Sequence, residues 1–224
     1  MSDTDSDTGD GPQGVKEKLI RTKEQWAKTG RGLTGVTAPP QDRRPPGQRV
    51  TEDFPVLDLG IQPNLSQAEW SLTVGGRVTN TIKWDWTALT AQPQVTLTND
   101  IHCVTTWSRY DNEWKGVAMR TLLEQVKPLP SAKFLMLKSF DGYSTNVPLA
   151  DVDRDEVLIA HTWQGKPLAK EHGGPVRLVV PHLYFWKSAK WLRHITFMDQ
   201  DQPGYWEARG YHMRGDPWKE QRYG

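Results

Sequence analysis

The chain has 224 residues and a formal net charge of +1, so it carries no bulk basic field for nucleic acid and no acidic one. Hydrophobic residues make up 36% and charged residues 25%, the balance of a soluble globular chain forming one large domain or two small ones. No run is apolar for long enough to span a bilayer, and a single cysteine excludes an internal disulfide.

The chain opens on "MSDTDSDTGDGPQG", acidic and polar, which predicts a disordered tail over residues 1–14. It lacks the basic start and apolar run of a secretory signal, so the expected compartment is the cytoplasm. Residues 15–53 hold "VKEKLIRTKEQWAKTG", read as a short surface helix. There follows "GLTGVTAPPQDRRPPGQRV", too rich in Pro, Gly and Arg to be a packed element alone. This stretch is expected to be an extended arm that crosses the domain or reaches a partner.

The compact region is expected over 54–224. "WSLTVGGRV" alternates Trp70, Leu72 and Val74 before Gly75 and Gly76, the pattern of a strand entering a turn. In "WDWTALTA", Asp85 is placed to cap a short helix. "QVTLTNDI" reads as a strand leading into Cys103. "VAMRTLLEQVKP" carries Met119, Leu122, Leu123 and Val126 at helical spacing, with Pro128 just beyond. "KFLMLKSF", "VLIAHTW", "VRLVVP" and "KWLRHITFMD" read as strands. Many strands with few short helices predict an α+β domain on mixed or antiparallel sheet.

Three readings of Cys103 stand side by side on the residues alone. Free cysteine is commonly a small buried core residue. Beside His102 and Arg109 it can be a lowered-pKa nucleophile, as in a cysteine hydrolase. As a thiolate it is also a soft ligand for a transition metal. A second cluster lies in "KEHGGPVRLVVPHLYFWKSAKW". Gly173 and Gly174 permit close backbone approach or positive φ. Arg177, Lys187, Ser188 and Lys190 together suit an anion such as phosphate, although a turn, a strand and a solvated loop would use the same residue types. No dinucleotide or Walker-type glycine motif is present. No histidine pair has zinc-helix spacing, which excludes a conventional structural zinc site.

Together these segments resemble the sulfite oxidase-like family of molybdopterin-dependent oxidoreductases. "IHCVTTWSRYDNEWKGV" is similar to its molybdenum-cysteine motif, and "HGGPVRLVVPHLYFWKSAKWLRHI" to its second signature. "YWEARGYHMRGDPWKEQRYG" is similar to the ending of a cytoplasmic bacterial subgroup related to the periplasmic methionine-sulfoxide reductase catalytic subunit. The resemblance implies a sulfite oxidase-type molybdopterin-binding domain, with mixed β-sheets and short helices, over roughly 54–224. It implies molybdenum as the metal, Cys103 as its ligand, and oxygen-atom transfer followed by one-electron steps with a separate redox partner protein. It places His172, Arg177, Ser188, Ala189 and Lys190 at the pterin or its phosphate. Ser139 aligns with a hydroxyl residue that contacts the cofactor. Leu57 and Asp58 fall where relatives use Asn-His or Tyr-Glu, and the sequence departs from both. That departure keeps open an alternative, a non-catalytic cofactor- or anion-binding module on the same fold.

For substrate, "CVTTWSR" is closer to the segment of sulfoxide reductases than to the Arg-rich one of sulfite oxidases. The resemblance implies Trp107 as a pocket wall, with Tyr184 or Trp186 opposite, and a small-molecule sulfoxide or N-oxide ahead of sulfite. Arg109, His102, His161 and His182 are the cations available to a charged substrate. No haem domain is expected before residue 54. The arm and the aromatic tail are candidate docking surfaces, the tail being as well suited simply to cover the core.

Overall fold

The computed structural model describes residues 17, 20–25 and 43–224. The expected tail at 1–14 lies outside the described residues, as do residues 15, 16, 18, 19 and 26–42 of the arm. In chain order the elements are β1 (Arg49–Val50), β2 (Ser71–Gly76), β3 (Ile82–Asp85), α1 (Trp86–Thr90), β4 (Gln94–His102), β5 (Trp107–Ala118) and α2 (Met119–Val126). They continue as β6 (Phe134–Ser139), β7 (Ser144–Pro148), α3 (Leu149–Val152), β8 (Leu158–Trp163), β9 (Lys166–Pro167), β10 (Arg177–Val179) and β11 (Leu192–Met198).

Two sheets result among the described residues. One runs β1-β5-β8-β10, with β4 on β5 and β9 on β8. The other runs β3-β2-β11-β6-β7. Both are mixed: β1 pairs parallel with β5, and β11 pairs parallel with β2. Alternation drives the pairing, because the inward residues of β2, Leu72 and Val74, are buried while their neighbours are partly exposed. Asp85 caps α1 by accepting from the Ala88 N–H at 2.8 Å. Helix α2 buries Met119, Leu122 and Val126, the stripe expected from its spacing.

The second sheet and helix α2 share an apolar core that includes Trp70, Leu72, Leu122, Leu135, Ile195 and Phe197. A separate aromatic cluster, with Ile101, Trp107, Trp114, Tyr184 and Trp206, lies against the first sheet. The β4–β5 hairpin enters this second cluster and carries Cys103 into it.

Three departures from the sequence reading matter for the site. The long strand β5, Trp107–Ala118, follows the cysteine turn where the sequence reading has no strand, and it leads straight into helix α2 at Met119. Residues 20–25 are helical as expected, but they are not simply surface, since Lys23 is only 8% exposed. Part of the arm belongs to the fold, because β1 pairs Arg49 with Trp107 and Val50 with Ser108. Among the described residues, no helix is long and apolar enough to cross a membrane.

Candidate active site

Strand β4 ends at His102 and β5 begins at Trp107, so residues 103–106 must reverse the chain within a hairpin whose register pairs His102 with Ser108. The Cys103 N–H donates to the Trp107 carbonyl at 2.8 Å, and the Thr106 N–H donates to the Cys103 carbonyl at 3.0 Å. Thr106 accepts a left-handed backbone, φ 72°, to close the turn. Two distant segments clamp it. Gln48 Nε2 donates to the Cys103 carbonyl at 3.1 Å, and Arg222 Nη1 donates to the Val104 carbonyl at 2.5 Å. The sulfur is thereby fixed 3.1 Å from Thr105 Oγ1. Burial pushes the Cys103 thiol up, against weaker opposing pulls from Thr105, Lys23 and Arg222. A coordinated metal inverts that preference, because a ligating thiol is deprotonated outright.

Cys103 faces a cleft of about 780 Å³, counting its open mouth. Eight of its twenty described lining residues are aromatic, among them Phe54, Trp107, Trp186 and Trp206. Trp107 presents a buried Nε1 with no hydrogen-bond partner among the described residues, a donor left for an occupant.

Three cations line the same cleft: Lys23, Arg177 and Lys190. Arg177 is 1% exposed. Its guanidinium donates only to carbonyls, to His172 and Ser188 at 2.8 Å each and to Leu178 at 3.3 Å. Its plane lies 4.2 Å over the Phe185 ring. Burial lowers it to about 9. Lys190 Nζ donates to the Glu171 carbonyl at 2.5 Å. Burial first, and Arg177 second, push it down to about 7. Among the described residues none of the three cations is ion-paired. Asp58 lines the cleft with them. Its own burial favours the neutral acid, but bonds from Gln62 and Gly60, with the charges of Lys190 and Lys23, hold it below its ordinary value. Asp58 and Asp141 also line the cleft and act on Lys190, yet burial still lowers it. Buried cations without an ion pair are costly, so this end of the cleft suits a further negatively charged group.

The expected residues are distributed unevenly. Cys103, Trp107, Leu57, Asp58, Arg177, Ser188 and Lys190 all line the cleft. Ser188 Oγ accepts from the Val180 N–H at 2.9 Å, which leaves its own proton to donate. Ala189, His172 and Ser139 are not among the lining residues. The His172 ring stacks on Phe54 at 3.9 Å and 3°, and burial lowers it to about 4. Ser139 Oγ is buried with no hydrogen-bond partner among the described residues. Arg109 is not among the lining residues. Its guanidinium donates to the Glu52 carbonyl at 3.0 Å and to Asn112 Oδ1 at 2.5 Å, and covers the Trp163 ring at 4.8 Å.

Other sequence readings are corrected. Lys187 is not part of the anion set: it is fully buried and spent on Glu207 at 2.6 Å, Met213 at 2.6 Å and Asn146 at 2.8 and 2.9 Å. The two glycines do show the close approach, and Gly173 the positive φ, read from the sequence, toward other parts of the chain. A Cβ on Gly173, at φ 102°, would meet Lys190 Cβ at 2.8 Å, and one on Gly174 would meet the Leu168 carbonyl at 2.0 Å. They let the backbone carrying Lys190 lie against this turn. His102, His161 and His182 also lie outside the lining. Of the two expected opposite walls, Trp186 lines the cleft, and Tyr184 stacks behind it at 5.3 Å. The tail does more than cover the core, since Trp206 and Tyr211 are walls. Sequence reasoning missed Lys23 altogether; its spacing from every motif is too great for any local signal.

Comparison with known proteins adds an independent line. Residues 59–206 match the family model described as the oxidoreductase molybdopterin binding domain. The chain is 46% identical over 182 residues to a Bacillus subtilis (strain 168) protein named as an uncharacterized oxidoreductase, YuiH, covering 81% of this chain and 92% of that one. It is 29% identical over 148 residues to a putative protein-methionine-sulfoxide reductase subunit, YedZ1, of Azospira oryzae, covering 66% of this chain and 56% of the relative. Among solved structures, the sulfane dehydrogenase SoxCD from Paracoccus pantotrophus superposes with a TM-score of 0.57 at 25% identity, over 62% of this chain and 40% of that chain. This chain therefore spans nearly all of the first relative but only about half of the other two.

Proposed function

This chain belongs to the oxidoreductase molybdopterin binding domain family, and from that premise we propose that it is an oxygen-atom transferase whose molybdenum is held by Cys103. A bound molybdenum–molybdopterin centre supplies two-electron oxygen-atom transfer, the chemistry that protein side chains cannot. The observation that carries the reading is the pairing of a turn-fixed buried sulfur with unpaired cations in a single cleft.

The chain's own residues divide the work. Cys103 offers a soft thiolate, with its turn clamped by Gln48 and Arg222. Arg177 and Lys190, with the free Ser188 hydroxyl, hold the anionic end of the cofactor; the guanidinium forks and the ammonium acts as a point charge. Asp58, and Leu57 through its backbone, contribute polar contacts beside them. His172, Ala189 and Ser139 support the walls without lining the cleft. The aromatic walls exclude water and give apolar contact to the substrate, Trp107 being the wall nearest the cysteine in sequence.

We infer a sulfoxide or N-oxide ahead of sulfite. Sulfite needs several converging cations. With Arg177 and Lys190 given to the cofactor, Lys23 is the one lining cation left for substrate among the described residues, and Arg109, His102, His161 and His182 all lie outside the lining. Arg109 takes instead the role of bracing β5 against Glu52. Electrons come from a separate redox partner protein. The cytoplasm is the compartment we infer, on a single cysteine that cannot form an internal disulfide.

Dye-linked turnover of the molybdenum-loaded protein across methionine sulfoxide, an N-oxide and sulfite tests this reading. The sulfoxide or N-oxide is expected to give the highest kcat/KM, and preferential oxidation of sulfite would reverse the substrate order. Loaded protein inert toward all three would leave a binding module.

A further inference from the structure

Lys23 reaches the cleft from outside residues 59–206, the part of the chain that matches the family. The helical residues 20–25 are fastened by the C-terminal segment. Tyr223 donates to the Glu24 carbonyl at 2.8 Å, and Tyr211 donates to the Lys23 carbonyl at 3.5 Å. The two tyrosine rings meet at 5.1 Å, and Ile20 packs into the aromatic cluster. The helix thus covers the cleft and turns the Lys23 side chain inward. Its ammonium donates to the Asp58 carbonyl, its one hydrogen-bond acceptor among the described residues. An ammonium has three donors, so two remain for whatever fills the cleft. Burial lowers Lys23 to about 8, while Asp58 and Cys103 oppose the shift, and Lys23 and Cys103 line the same cleft. Arg177 and, more weakly, Lys23 both oppose the charge on Lys190.

We propose that Lys23 is the substrate-facing cation of the site, a specificity-determining residue carried by an N-terminal cap, which donates to the polarised S–O or N–O oxygen of the substrate beside Cys103. This rests on the proposed molybdenum reading and names the polar anchor that reading lacks. One ammonium among aromatic walls suits a substrate with a single negatively polarised oxygen, since each donor is worth most where water is excluded. The cofactor's own anionic group would use the same chemistry, so the test separates the two.

The full-length protein, loaded in a molybdopterin-competent host, is compared with Lys23→Met and Lys23→Arg. Molybdenum content, kinetics with methionine sulfoxide and a reduced dye, and sulfate affinity by tryptophan fluorescence are measured. Lys23→Met is expected to keep its molybdenum and lose roughly tenfold or more in kcat/KM, mostly through KM, as for a hydrogen bond to a charged group. Lys23→Arg is expected to recover part of the loss, and sulfate is expected to bind Lys23→Met correspondingly more weakly. Unchanged KM and sulfate affinity in a fully loaded Lys23→Met would overturn the proposal. Loss of molybdenum from that variant would overturn it too, by assigning Lys23 to the cofactor. If the wild-type protein carries no molybdenum or turns over no sulfoxide, the proposed function fails instead, and sulfate affinity alone decides: weaker binding in Lys23→Met sustains the anchor, unchanged binding removes it.

Discussion

At the scale of single residues, the site is defined by buried cations that form no ion pair among the described residues. Lys190 is the clearest case, because burial and Arg177 push its ammonium down to about 7. The folded state therefore binds fewer protons than the unfolded chain, whose lysines titrate near ~10.4. Stability rises with pH wherever the unfolded state binds more protons. Lys190 thus costs stability in full below about pH 7, and the cost is relieved as pH climbs from there toward ~10.4. For protein made without cofactor, Lys190→Met is expected to raise the melting temperature by ~2–4 °C at pH 6.5, the shift of a kcal/mol-scale change in a chain of this size. The gain is expected to shrink at pH 9.5. Calorimetry at the two pH values checks it, and a gain that grows with pH contradicts the assignment. The chemically distinctive residues were legible at this scale. Cys103, Arg177, Ser188 and Lys190 stand in compact sequence motifs, and all line the cleft. Lys23 was not, because only tertiary packing of the tail against residues 20–25 brings it there.

At the scale of elements, β5 does most to position the site. It follows the Cys103 turn, carries Trp107, and pairs with β1, β4 and β8. Its approach to β8 depends on Gly116, where a Cβ would meet the Ile159 carbonyl at 2.1 Å and Ala160 Cα at 2.7 Å. Backbone cannot yield as a flexible side chain does. Gly116→Ala is therefore expected to destabilise the protein by about 1–3 kcal/mol, as overpacking does. Lys115→Ala, at an exposed neighbouring position, is expected to stay within about 0.5 kcal/mol. Urea unfolding of both variants makes the comparison, and equal midpoints would remove Gly116 from the account. The strand escaped the sequence reading for a physical reason. Its outward positions, Asp111, Glu113 and Lys115, are charged, and one inward position is Asn112, buried and bonded to the Asn99 and Arg109 carbonyls. Strands β2, β4, β6, β8, β10 and β11 alternate or run apolar and were legible, as were α1 through Asp85 and α2 through its stripe.

At the scale of the whole molecule, the cleft draws on an N-terminal part (residues 20–25 and 54–58), a middle part (among it the β4–β5 hairpin, Asp141, Tyr143 and the Arg177–Trp191 region) and the C-terminal segment. The family accounts for the middle one, and the two ends close over it. The central claim is that Cys103 supplies a sulfur to the metal. Molybdenum K-edge X-ray absorption on loaded wild-type and Cys103→Ser protein tests this most directly. The account predicts three sulfur ligands in the wild type, two from the pterin and one from Cys103, and two in the variant. Equal sulfur counts in the two proteins, both molybdenum-loaded, would contradict it.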